Sequence, residues 1–142
     1  MPTMPLSEHE IRSILLNAQT IAVVGASANA SRPSHGVMRR LIAFGYRVYP
    51  VNPHEREVLG QRAYASLQTL PERVDIVDVF RRAEATPAIA DEAVAAGAKV
   101  LWLQQGIINQ EAHSRATRGG LKVIMDRCIA VDLAMLRIPA RR

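Results

Sequence analysis

The chain has 142 residues, 49% of them apolar, a single cysteine and a formal net charge of +5. That length suits one hydrophobic core, and that apolar fraction excludes a disordered chain. Charged residues interrupt every apolar run well short of the roughly 18 needed to cross a bilayer, and a lone cysteine excludes an internal disulfide.

The opening segment "MPTMPLSEHE" has neither the basic patch nor the apolar stretch of a secretory signal, so a reducing, cytoplasmic setting is expected. Positive charge points to an anionic partner, either nucleic acid or a phosphorylated small molecule. The arginines come in scattered pairs ("MRRL", "FRRAE", "ARR"), and only two phenylalanines and one tryptophan could stack on bases. The small molecule is therefore expected, with no nucleic acid and no membrane; the oligomeric state stays open.

In chain order, Ser7 and Glu10 form a capping box ahead of Ile11, Ile14, Leu15 and Ala18, which predicts a short amphipathic helix. "TIAVVG" is a continuous apolar run closed by Gly25, the pattern of a strand buried on both faces. Val37, Met38, Leu41 and Ile42 recur at helical spacing, and Gly45 ends that helix. "YRVYPVNP", "VDIVDVF", "AKVLWL" and "LKVIM" read as four further strands. "TPAIADEAVAAG" predicts a helix with Thr86 as N-cap and Pro87 in its first turn. Another helix begins near Asn109, and a last one covers "AVDLAMLR". Strands alternating with helices predict parallel βαβ units in one domain over residues 1–142, with residues 1–19 supplying a helix packed on it.

Ligands of open α/β sheets bind outside the carboxyl ends of the strands. Gly25–Ser34 occupies that position after the first strand. Gly25 permits a tight turn, Ser27, Ser31 and Ser34 offer hydroxyls, and Arg32 can grip phosphate at two points. Pro33 presets the first turn of a helix whose start favours an anion. The loop departs from G-x-G-x-x-G, because Ser27 replaces the second glycine. The second strand ends in Asn52 and Pro53 rather than the acid that holds the ribose of NAD.

The segments "VVGASANASRPS", "GYRVYPVNP", "VDIVDVFRRAE", "GAKVLWLQQGI" and "MDRC", in that order, closely resemble the CoA-binding domain family. These are small proteins similar to the N-terminal domain of the succinyl-CoA synthetase alpha subunit. The resemblance spans residues 20–137. It implies an α/β, Rossmann-like, three-layer fold: an open, mainly parallel five-stranded sheet with helices on both faces. It also implies that Gly25, Ala26, Ser27, Ser31, Arg32, Pro33 and Ser34 hold the phosphates of CoA or an acyl-CoA. Val51, Asn52 and Pro53 then lie beside the nucleotide end, and Phe80, Arg81, Arg82, Gln104, Gln105 and Gly106 supply the remaining wall. Glu55 stands where the synthetase has a lysine close to CoA. The synthetase's phosphohistidine domain has no counterpart in the sequence, so ligase activity is not expected.

No nucleophile–base pair and no metal-ligand spacing emerges from the histidines His9, His35, His54 and His113. Asp75, Asp78 and Asp126 flank predicted strands, where carboxylates serve as caps, arginine partners or catalysts. Cys128 falls near the ligand edge, within reach of a mixed disulfide with CoA; a small, partly buried structural residue is the simpler expectation. A CoA or acyl-CoA carrier, sensor or regulator is thus expected, the alternative being an NAD(P)-binding oxidoreductase or redox sensor on the same fold.

Overall fold

At the N-terminus the Ser7 hydroxyl accepts the Glu10 N–H at 3.1 Å while the Glu10 carboxylate accepts the Ser7 N–H at 3.2 Å. These reciprocal bonds start α1, Glu8–Asn17, which turns Ile11 and Leu15 into the core. The computed structural model describes residues 5–141. The first four residues of the 1–19 segment, and the final arginine of "ARR", lie outside the described residues.

The strands follow the apolar runs. β1 is Thr20–Val24, β2 Arg47–Val51, β3 Glu57–Val58, β4 Gln61–Arg62, β5 Ile76–Val79, β6 Val100–Leu103 and β7 Lys122–Ile124. Five of them form one sheet in the order β2-β1-β5-β6-β7, and every neighbouring pair is parallel. Every residue of β1, β5 and β6 is buried, which is why these runs do not alternate with polar residues.

Helices cover both faces. α2 (Pro33–Ala43) and α5 (Ile129–Met135) join α1 over the face that carries Ile21, Val23, Ile76, Val100, Trp102 and Ile124. α3 (Thr86–Ala95) and α4 (Gln110–Arg118) cover Ala22, Val24, Val77, Val79, Leu101, Leu103 and Val123 on the other. The second face packs through small residues, Ala90 and Ala93 of α3 and Ala112 and Ala116 of α4, all fully buried. The first takes the largest side chain, Trp102, whose indole N–H donates to the Arg127 carbonyl at 2.8 Å. Burying one large apolar side chain contributes about 1.5–3 kcal/mol, so these two layers supply most of the stabilisation.

The structure corrects several details. Ala85, not Thr86, is the N-cap of α3; Thr86 is its first helical residue, and its hydroxyl donates to the Ala83 carbonyl at 2.6 Å. A short 3₁₀ turn over Ala83–Ala85 feeds this helix, so its own carbonyl supplies the acceptor. The β3–β4 hairpin was not foreseen. Its turn residues Leu59 and Gly60 both have positive φ, 51° and 77°, as a two-residue hairpin requires, but the sequence lacks the Asn-Gly or Asp-Gly pair that announces one. The final helix begins at Ile129 and stops at Met135, shorter at its end than "AVDLAMLR".

Asp78 does not flank a strand but lies inside β5, opposite Val23 and Trp102. It is fully buried, and neither carboxylate oxygen has a hydrogen-bond partner. Burial holds its carboxyl well above the usual carboxylate range. Arg127 pairs not with its neighbour Asp126 but with the buried Asp132, through two bonds of 2.8 and 2.7 Å. Among the described residues no helix is long and apolar enough to cross a membrane.

Candidate functional site

In this sheet the chain turns back on itself between β1 and β5, and the ends of those two strands diverge into loops running opposite ways. A cleft of about 710 Å³ opens there. Gly25 is its hinge. The Gly25 N–H extends the ladder to the Val51 carbonyl at 2.9 Å, and the Phe80 N–H reaches Val24 at 2.8 Å. Gly25 has φ +88°, and a Cβ there would fall 2.5 Å from the Phe80 carbonyl oxygen, so only glycine fits.

The loop beyond is held by its own polar groups. The Asn29 N–H donates to the Ser27 hydroxyl oxygen at 3.0 Å, and the Ser31 N–H and hydroxyl both donate to the Asn29 side chain, at 3.0 and 2.8 Å. Asn52, at the tip of β2, donates from its side chain to the Ala26 carbonyl at 2.8 Å. Glu55 accepts the Ala28 N–H at 2.7 Å. Glu55 therefore latches the loop to the strand tip.

Pro33 starts α2 with Arg32 as a cap residue that forms no side-chain cap bond, leaving the guanidinium exposed at the mouth. The Arg32 and His35 N–H groups are engaged in turns to Asn29 and Arg32, and Pro33 has none. The positive end of α2 adds to the field of Arg32 and of Arg81, whose chain continues from β5. Among the described residues neither arginine forms an ion pair, whereas Arg47, Arg115 and Arg127 each do.

Of the residues singled out from sequence, Gly25, Ser27, Arg32, Pro33, Ser34, Asn52, Phe80, Arg81, Gln104 and Gln105 line this cleft together. Ala26 lies beneath it, fully buried, and takes part through its carbonyl. Val51 and Pro53 line a second hollow of about 130 Å³, which shares Arg81 with the first. Ser31 and Arg82 are exposed outside both, and the Gly106 N–H is taken by Asp126 at 2.7 Å. Three further residues line the cleft: Val37, Ile107 and Cys128. In the sequence Val37 belongs to the apolar face of a helix, and Ile107 carries no motif of its own. None of the four histidines is in the lining.

The inner wall differs from the mouth. Ser34 and Gln104 are 3% and 5% exposed, so these polar side chains are fixed within packed surroundings. Gln104 accepts the Ile129 N–H at 3.2 Å, which ties the end of β6 to the start of α5. Donors dominate: two guanidinium groups, hydroxyls and three side-chain amides line a space that contains no carboxylate among its lining residues. Such a set suits an elongated ligand with anionic and carbonyl oxygens.

The family model described as "CoA binding domain" matches residues 19–134. The uncharacterized protein YneT of Bacillus subtilis is 43% identical over 131 residues, covering 92% of this chain and 97% of that protein. An ADP-forming acetate–CoA ligase of Archaeoglobus fulgidus is 28% identical over 127 residues; the match takes in 82% of this chain but only 18% of the ligase. A solved structure of a hypothetical protein from Pyrococcus horikoshii superposes with a TM-score of 0.91 at 37% identity, covering 96% of this chain and 99% of that one.

Proposed function

The chain belongs to the CoA-binding domain family, and from that premise we propose that it binds CoA or an acyl-CoA in the cleft at the carboxyl end of the sheet. One observation carries the reading. A roughly 710 Å³ cleft brings together the loop after β1, the start of α2 and two arginines that have no ion-pair partner among the described residues, with no carboxylate in its lining. In this reading Ser27, Ser34, Arg32 and the first turn of α2 hold the diphosphate. Charge-assisted hydrogen bonds of this kind contribute about 1.5–3 kcal/mol each. Val51, Asn52 and Pro53 stand beside the adenosine, with Arg81 between the two hollows. In this reading the protein serves as a carrier, sensor or regulator.

Calorimetric titration with CoA tests the proposal, with Arg32→Ala as the control. The wild-type chain should bind CoA and the variant should lose about ten- to a hundredfold in affinity, with unchanged melting temperature in the absence of ligand. At 100 times its dissociation constant CoA should add about 2.7 kcal/mol of stability, raising the melting temperature by about 10 °C. No heat with CoA alongside clear binding of NAD(H), or an Arg32→Ala variant with wild-type affinity, would overturn it.

A further inference from the structure

Gln104 ends β6 on the inner wall of the cleft, only 5% exposed. Its Oε1 accepts the Ile129 N–H at 3.2 Å. A backbone N–H can only donate, so this bond decides the orientation of the amide: oxygen toward α5, NH₂ away from it. Among the described residues Nε2 donates to no protein acceptor. Nor is it sealed in, because the only buried side-chain polar atoms found without a partner among those residues are the two oxygens of Asp78. The NH₂ group therefore faces the cleft, whose lining also includes the apolar side chains of Val37, Phe80 and Ile107.

Position separates this donor from the anion-facing loop. β6 lies two strands from β1 in the sheet, which at the usual spacing puts Gln104 about 10 Å from Gly25. A ligand that covers the amide without offering an acceptor leaves a buried donor unmet, at a cost of about 1–3 kcal/mol. A neutral donor in an apolar wall suits a neutral acceptor, and a thiol is a weak one.

We propose that Gln104 Nε2 reads a carbonyl oxygen on the arm that extends from the ligand's diphosphate. That oxygen belongs either to an amide within the arm or to an acyl thioester at its end. The inference rests on the CoA reading above and deepens it, by assigning the part of the ligand that the arginines do not reach.

The test compares CoA, acetyl-CoA and ADP, which has no arm, on the wild-type chain and on Gln104→Glu and Gln104→Leu. Gln104→Glu keeps an oxygen for the Ile129 N–H while removing the donor; Gln104→Leu removes both without adding charge. Both variants should lose about tenfold in affinity for arm-bearing ligand and hold ADP as the wild type does. Equal losses for CoA and acetyl-CoA assign the oxygen to an amide of the arm, and a loss confined to acetyl-CoA assigns it to the thioester. Unchanged affinity throughout, or a loss as large for ADP, overturns the assignment while leaving the CoA reading standing. A wild-type chain that binds none of the three brings down the CoA reading itself, and this inference with it.

Discussion

The two ends of the sheet carry hollows of similar size, about 710 Å³ at the carboxyl end and 640 Å³ at the amino end, yet their chemistry is opposite. At the amino end the wall includes a carboxylate, Asp75, that several donors already satisfy. Asp75 accepts the Gln19 N–H at 2.8 Å, the Thr20 N–H at 3.2 Å and the Thr20 hydroxyl at 3.3 Å, with the Lys99 ammonium 3.3 Å away. Its own N–H returns to the Thr20 hydroxyl oxygen at 2.9 Å. At the carboxyl end Arg32 and Arg81 have no acidic partner among the described residues, and the Gln104 NH₂ group has no acceptor. The hollows match in volume and differ in lining: Glu10 and Asp75 put carboxylates in the wall at the amino end, and none lines the cleft at the carboxyl end.

The largest way to break that contrast is at Gly25. Gly25→Ala forces a positive φ on a residue with a Cβ and drives that Cβ into the Phe80 carbonyl. We expect a loss of about 3 kcal/mol or more in urea unfolding, together with loss of CoA binding. Gly36→Ala is the contrast, since nothing lies within 4 Å of its Cβ inside α2; a gain of about 0.5–1 kcal/mol is expected.

Next in size is Asp78, between the two ends. Asp78→Val removes an unpartnered buried carboxyl from a strand of valines and isoleucines and should stabilise the chain by about 1–3 kcal/mol even in acid. The folded carboxyl stays protonated while the unfolded one ionises above 3.8, so wild-type stability falls as pH rises from that value through the higher folded one. The advantage of valine must therefore widen with pH. A gap that is flat from pH 4 to 7 would refute the assignment of a neutral Asp78.

Asp75→Asn sharpens the comparison from the other end and with the smallest effect, a loss of about 1 kcal/mol at neutral pH. Burial opposes ionisation of Asp75, but the Gln19 and Thr20 N–H groups and Lys99 outweigh it and hold the carboxyl below its ordinary 3.8. Its contribution is present above 3.8 and lost as pH falls through the lower folded value, so the two chains should converge in acid. CoA affinity should not change, because the substitution lies at the far end of the sheet.

Most of the fold was legible because its signals are local. "TIAVVG" and "AKVLWL" have no polar alternation, which only a sheet covered on both faces accommodates, and Ser7 with Glu10 marks α1 within a single turn. The loop residues of the cleft were legible for the same reason: glycine, hydroxyls, arginine and proline lie within ten positions of one another. The β3–β4 hairpin was not, since Leu59 takes a positive φ without any sequence mark. Val37, Ile107 and the tie from Gln104 to Ile129 were also hidden, because they join segments far apart in the chain.

The sequence by itself determined which segments become strands and helices, and hence that a glycine-hinged, basic loop must emerge at the carboxyl edge of a parallel sheet. Periodicity and capping act over a few residues, so they survive in one dimension. Only the tertiary structure decided which polar groups are already satisfied. It assigned Ser31 to Asn29, Glu55 to Ala28 and Arg127 to Asp132, and among the described residues it left Arg32, Arg81 and the Gln104 NH₂ group open. Hydrogen bonds and ion pairs depend on distance in space, and a residue's chemistry is available to a ligand only when no neighbour has claimed it.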